Sequence, residues 1–224
     1  MREILGRRRV TRWARRSAAL TCATQWQWPV LPGAALRESK RQSKRMCACP
    51  HPDCVVPGAH PFDPGLLAAT TDARMVRWWW TNRPTAPIIL ATGGQAPCAL
   101  SLPAIAGARA LRELDRRGVR TGPVVATLSR FSLLVAPYDL AELGELLYAQ
   151  DWVPSSLRFH GEGGYVPLPP STTGGGRVRW ERPPTVGRGR ASAGQPYLPR
   201  MDALLDVLVQ ASATAPDGGS QLAY

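Results

Sequence analysis

No stretch of this 224-residue sequence approaches the ~20 consecutive apolar residues that a membrane-spanning helix needs, so no membrane partner is expected. The opening RRRVTRWARRSAALTCATQW has the charge of a targeting segment. Its apolar part after Arg16 is short, however, is broken by Thr, Cys and Gln, and lacks a small-x-small cleavage site, so it is not read as a signal peptide. Five cysteines are an odd number for a disulfide framework. Without a secretion signal they point to a reducing, cytoplasmic setting and to metal binding or free thiols. Gly (21) and Pro (22) stay below the share that marks a low-complexity chain, and no internal repeat is present. Carboxylates are scarce: 16 Asp and Glu stand against 28 Lys and Arg, a net charge of +12. No two of them pair at a strand end, where metal-dependent phosphoryl transfer would want them.

What is present is unevenly placed. Residues 1–45 hold twelve basic residues (Arg2, Arg7, Arg8, Arg9, Arg12, Arg15, Arg16, Arg37, Lys40, Arg41, Lys44, Arg45) against Glu3 and Glu38, or +10 of the total. Such a cluster binds phosphate backbones by releasing counterions, or is an incidental basic tail. The rest of the chain is close to neutral, long enough for one domain with a proper core, and ordinary in its 44% hydrophobic content.

The pattern of apolar residues gives alternating elements. A basic helix is expected over about 7–25 and a strand over Trp26 to Leu31, stopped by Pro32-Gly33. Asp72 is placed to cap a helix from Ala73 to Trp80. Strands are expected at 88–91 and 99–102, with Pro103 in the first turn of a helix to Arg117 whose Ala106, Ala110, Leu111 and Leu114 face inward. A strand pair follows at 124–127 and 132–136. Next comes a helix over 139–150 with Leu140, Leu143, Leu146 and Leu147 inward, then short strands at 157–159, 165–168 and 177–180. A closing helix is expected at 198–210. The fold class is mixed α/β, a central mixed sheet flanked by helices. Its expected organisation is a flexible basic arm over 1–17, a domain over 18–210 with a Gly/Arg-rich linker at 187–194, and a disordered tail over 211–224.

Two motifs carry more. In Trp78-Trp79-Trp80, side chains 100° apart on a helix cannot all share a face, so at least one must look away from the core. In MCACPHPDCVVPGAHP, Cys47, Cys49, Cys54 and His60, with His51 to spare, offer four soft or borderline ligands within 14 residues. Prolines 50, 52, 57 and 61 stiffen the loop and lower the entropy lost on closing it round an ion. The set suits structural Zn²⁺ or unmetallated thiols. No Glu beside it could act as a general base, which argues against catalytic zinc. Cys22 and Cys98, in apolar contexts, are expected in the core.

The order of segments resembles the N-terminal domain of bifunctional DNA primase/polymerases (Prim-Pol, of the archaeo-eukaryotic primases), in its actinobacterial and phage versions, from about Ala18 to Val209. The features that carry the likeness are WQWPVLPG, the Cys-x-Cys loop ending Pro-Gly-x-His-Pro, the cap ATTD, a helix ending in tryptophans, TNRPTAPIILATGG, and GGYVPLPPS before a Trp180 strand. The resemblance implies templated nucleotide polymerisation with Mg²⁺ or Mn²⁺ held by acids. The strand CALSLP puts Ser101 and Pro103 where the family carries its acidic pair. The segment SRFSLL lacks the family's His, and Arg158 lies near the expected third acid. Glu113, Asp115, Asp139, Glu142 and Glu145 read as solvated helix charges rather than replacements. A Ser101, His160 and Asp139 triad can be composed but carries little weight.

The reading is therefore a Prim-Pol domain lacking polymerase activity. It would be retained to bind DNA, RNA or nucleotides through Arg130, Arg158, His160, Gly163, Gly164, Tyr165 and Ser171, with backbone N–H groups of the Gly161–Gly164 and Gly174–Gly176 turns near phosphate. The alternatives are an active primase/polymerase with remodelled metal ligands, and a protein–protein interaction module that binds no nucleic acid.

Overall fold

The computed structural model describes residues 12–38, 45–186 and 194–213. The basic residues at 1–11 and 39–44, linker positions 187–193 and tail positions 214–224 lie outside the described residues. The class is mixed α/β, as expected. The strands, however, form two main sheets rather than one central sheet, and the chain divides into two compact units: residues up to 91 with 165–179, and 92–164 with 180 onward. No helix among the described residues is long and apolar enough to cross a membrane.

In the first unit, helix α1 (residues 12–20) widens into one π-helical turn at Thr21–Gln25. The boundary expected between an arm ending at 17 and a domain starting at 18 thus falls inside a helix. Arg15 on α1 is 9% exposed and donates from Nε to Pro170 O (3.1 Å) and from Nη1 to Pro84 O (3.2 Å). Strand β1 is Val30–Pro32, shorter than the expected 26–31, because Gln27 takes φ 57° and Trp26 packs at a tilt against Trp28, centroids 4.9 Å apart. A hairpin follows, β2 (Leu36–Glu38) with β3 (Arg45–Cys47).

Helix α2 (Ala73–Asn82) starts where Asp72 accepts from Arg74 N and Met75 N. Its Trp79 and Trp80 are buried edge to face, centroids 6.4 Å apart, and Trp80 Nε1 donates to Ala86 O; Trp78 is 56% exposed. Strand β4 (Ile88–Ala91) lies between β1 and β9 (Tyr165–Leu168), antiparallel to both. The unit's core centres on Leu31, Ile88, Ile89, Leu90 and Leu168, all fully buried. The short hairpin of β10 (Thr172–Thr173) and β11 (Gly176–Arg177) completes it.

The second unit is a five-stranded sheet in the order β12-β6-β7-β5-β8. Its strands are β5 (Cys98–Pro103), β6 (Val124–Ala126), β7 (Arg130–Val135), β8 (Arg158–His160) and β12 (Arg179–Arg182), the last displaced by two residues from expectation. Helix α3 (Ala104–Arg116) and helix α5 (Asp202–Ala213) share one core with Leu100 and Leu102 of β5 and Phe131 and Leu133 of β7. The α3 face is the expected one, and Pro103 precedes the helix as its cap rather than sitting in the first turn.

Two expectations need correction. Leu140, expected inward, is 82% exposed: Asp139 caps helix α4 (Leu140–Tyr148), which leaves Leu140 on the outer side of its first turn while Leu143, Leu146 and Leu147 pack on the core. The closing helix begins at Asp202 instead of 198 and runs through Ala213, so the first three residues of the expected tail are helical.

Helix α3 approaches β7 most closely at Gly107, where an added Cβ would meet Phe131 Cβ and Cγ at 2.7 Å. Gly107→Ala gains about 1 kcal/mol of helix propensity but forces the helix off the sheet, at a cost of ~1–3 kcal/mol. The expected outcome is a lower urea midpoint with an unchanged m-value; a midpoint at or above that of the parent chain would show that the sheet accommodates the methyl.

Candidate functional site

The Cys/His loop belongs to the first unit. Hairpin β2–β3 delivers Cys47 at its end, Ala48 N donates to Ala35 O (2.8 Å), and Ala34 N donates to His60 O (2.9 Å), so both ends of the loop are tied to one ribbon. Gly58 turns the chain at φ 71° against Leu36, a conformation that an L side chain adopts only with strain. The ligand atoms of Cys47, Cys49, Cys54 and His60 then all lie within 4.8 Å of one another. His60 Nε2 is 3.2 Å from Cys47 Sγ and 3.5 Å from Cys54 Sγ. A tetrahedral ion with ligands at ~2.0–2.3 Å needs edges of roughly 3–4 Å, so a small contraction of the set would accommodate one.

His60 Nδ1 lies 2.8 Å from Pro61 O, the hydrogen bond that leaves Nε2 free to coordinate. His51 is exposed, which makes His60 the fourth ligand. Burial pushes the Cys47 thiol up, but hydrogen bonds from Cys49 and Gly58 N–H and from His60 outweigh it and bring it down to about 6. Cys54 is pushed up to about 11 by burial and by the neighbouring thiols. Crowded thiolates oppose one another's ionisation, the conflict that a bound cation relieves.

The second unit holds the other group. Along β5, Cys98, Leu100 and Leu102 face the helices, so Ala99, Ser101 and Pro103 face the opposite way. Register carries this across the sheet: Ser101 is opposite Ser132 and Arg158, Ala99 opposite Leu134 and His160, and Pro103 opposite Arg130. Directly opposed residues share a face. Ser101, Arg130, Ser132, Arg158 and His160 therefore lie together on the face away from the helical core.

Arg130 Nη2 donates to Ser101 O (2.7 Å), Ser101 Oγ (3.2 Å) and Ser156 O (2.8 Å). Its Nε is buried without an acceptor. Burial, and then the charge of Arg158, lower the guanidinium to about 10, so it stays charged at neutral pH. Ser101 Oγ is 2.8 Å from His160 Nε2. Burial first, then Arg130 and Arg158, push His160 down to about 4, which keeps the imidazole neutral and able to accept the Ser101 hydroxyl proton.

Four of the second unit's acids are engaged elsewhere. Glu113 pairs with Arg116 and Arg117 at 2.6 Å, Asp115 with Arg182 at 2.5 Å, and Glu142 with Arg200 at 3.0 Å, while Asp139 caps α4. Asp139 thus does not complete the Ser101–His160 contact into a triad. Among the described residues, the Cys/His loop is the one grouping of three or more potential metal ligands.

The remaining expected contact residues are also placed. Gly163 (φ 75°) and Gly164 form the turn after β8, locked by Thr92, whose Oγ1 donates to Gly161 O (2.7 Å) and whose N–H donates to Gly164 O (3.0 Å). Tyr165 and Ser171 belong to the first unit, where Tyr165 is half-buried opposite Ala91. Ser171 is 1% exposed, its Oγ accepting from Ile88 N (2.8 Å). Sequence reasoning missed Ser132 and the Ser156 carbonyl. The alternation Arg130-x-Ser132 would have revealed the first; nothing local announces a carbonyl acceptor 26 residues away.

Because the His160 imidazole is depressed, its contribution to stability is complete above about pH 6.5 and is lost as pH falls through about 4. The expected size is no more than about 3 kcal/mol. His160→Gln should shrink the stability loss between pH 6.5 and 4 in urea titrations; an unchanged pH slope would mean that His160 is already solvated.

The family model for the N-terminal domain of bifunctional DNA primase/polymerases matches residues 19–197. No curated protein and no solved structure matches the chain.

Proposed function

The chain belongs to the family of bifunctional DNA primase/polymerase N-terminal domains, and from that premise we propose that it keeps the family's scaffold for nucleotide or nucleic-acid contact without polymerising. The observation that carries this is the sheet face around Ser101. Residues 101 and 103 lie on one face of β5, as an acidic pair that shares metal ions must, yet they are Ser and Pro, and their neighbours are Arg130, Arg158 and neutral His160. A divalent ion ~5 Å from one guanidinium, at an effective dielectric of ~20, is opposed by about 7 kcal/mol. Among the described strand residues of that face, none is a carboxylate that could offset it. The basic N-terminal residues supply sequence-independent affinity for phosphate backbones.

The full-length chain should make no primer and extend none with Mg²⁺ or Mn²⁺, and the double change Ser101→Asp, Pro103→Asp should not restore synthesis, because Arg158 and the missing histidine remain. The same preparation should retain single-stranded DNA in a salt-sensitive manner. Deleting residues 1–11, which removes Arg2, Arg7, Arg8 and Arg9 but spares the anchoring Arg15, should flatten the salt slope by up to ~4. Primer synthesis abolished by changing some other carboxylate would establish the active-enzyme alternative, and absence of both synthesis and DNA retention would favour the protein–protein module.

The Cys/His loop is read as a structural Zn²⁺ site. Val55 and Val56 are exposed (67% and 42%), so the loop has little apolar burial to hold it, and three thiols with one imidazole suit zinc. The ion would cross-link Cys47, Cys49, Cys54 and His60 and supply no chemistry to a substrate. Purified protein should contain about one zinc per chain. Chelation or Cys54→Ser should expose residues 46–61 to proteolysis while the second unit stays folded; metal-free protein with an equally resistant loop would refute the assignment.

A further inference from the structure

We propose that Trp78, on the outer face of α2, is a stacking platform for a base of single-stranded nucleic acid, with Arg74 and Arg77 beside it for the flanking phosphates. The proposal rests on the nucleic-acid-binding reading above and adds a contact on the first unit, at the tryptophan that the fold leaves facing solvent. Helix α2 reads ARMVRWWWTN. Its Val76, Trp79 and Trp80 are buried; Trp79 and Trp80 meet edge to face, and the Trp80 indole donates to Ala86 O. Trp78 takes no part in that packing and is 56% exposed, and Met75, three residues earlier, is 45% exposed. An indole left in water forfeits the large apolar burial that its surface offers.

The ring's neighbours on the helix are cationic. Arg74 lies one helical turn before Trp78 and Arg77 immediately before it, both exposed, and α2 holds no acid. The nearest acid in sequence, Asp72, is engaged as the helix cap, accepting from Arg74 N and Met75 N. Thr81 and Asn82, which follow on the same side, turn their donors back onto the helix, to Arg77 O (2.7 Å) and Trp78 O (2.8 Å). An aromatic ring beside two cations matches a single strand, in which each base offers an open π-face with phosphate on either side; in a duplex those faces are already stacked. It matches a protein partner less well. The apolar part of this α2 face is Trp78 and Met75, small against the ~800 Å² per partner that a standard protein interface buries, whereas one base needs one ring face.

The test titrates the full chain into a fluorescein-labelled oligothymidylate and follows anisotropy across a salt series. Trp78→Ala is expected to weaken binding at least fivefold with no change in the salt slope, since stacking releases no counterion. Arg77→Ala is expected to weaken binding and also to flatten the slope by about 0.7, the value of one lost phosphate contact on a single strand. Trp78→Phe, which keeps a ring, should retain most of the affinity. Both positions are exposed, so these variants should fold. On a blunt duplex, and on a strand of abasic sites, Trp78→Ala should bind as the parent chain does. Unchanged affinity of Trp78→Ala for oligothymidylate, or an equal loss on the abasic strand, would overturn the proposal. Retention of oligothymidylate by the parent chain separates the two readings. Its absence removes both, while its presence with an indifferent Trp78→Ala removes this inference alone.

Discussion

The register of β5 between β7 and β8 is the constraint on which the second unit's chemistry depends. Cys98, Leu100 and Leu102 must meet α3 and α5 to build the core, and a strand that commits alternate residues to one side commits the others to the opposite side. Slipping the register by one residue would turn Ser101 into the helices and Leu100 and Leu102 out of them. The apolar half of the strand thus positions the polar half. It also explains why Pro103 is tolerated: it ends the strand, where a missing ladder N–H costs little, and hands the chain to α3. Arg130, opposite Pro103, is then brought within reach of the Ser101 carbonyl.

A guanidinium in this position is expensive. It loses hydration, keeps a buried Nε with no acceptor, and gains only carbonyl and hydroxyl partners; an unsatisfied buried donor alone costs ~1–3 kcal/mol. A leucine at the same place would bring no donor to leave unsatisfied. The structure meanwhile shows that the unit can supply carboxylates, since Glu113, Asp115 and Glu142 all find arginine partners elsewhere. Among the described residues, the lack of an acid on this face is therefore a local property of these strands, not a consequence of the chain's overall shortage of acids.

Much of this was legible in sequence, for reasons that can be named. Strand 165–168 and the α3 face follow from short-range periodicity, and Asp72 and Asp139 announce their helices because a capping side chain acts on N–H groups two or three residues away. The triple tryptophan resolves as helix geometry requires: Trp79 and Trp80 go in, Trp78 goes out. The Cys/His ligands were legible because a stiff loop of 14 residues leaves few ways to arrange them. What sequence could not supply was pairing between distant strands. Ser101 meets His160 across 59 residues, and no local pattern encodes which strand will be its neighbour. The partition into two sheets was missed for the same reason: periodicity identifies strands but not their partners. Leu140 failed because its helix begins one residue later than expected, and at the first position of a helix an apolar residue need not face the core.

A sheet face that carries arginines and no acid among the described residues keeps its charge under conditions in which an acidic one does not. A centre built on carboxylates attracts phosphate only after divalent ions have reversed its charge, so its affinity rises and falls with metal. Guanidinium groups are charged at every physiological pH; even Arg130, lowered to about 10 by burial and by Arg158, titrates far above neutrality. Neutral His160 adds no negative charge and no variable one near pH 7. Ionic strength screens the exposed Arg158 strongly and the half-buried Arg130 much less.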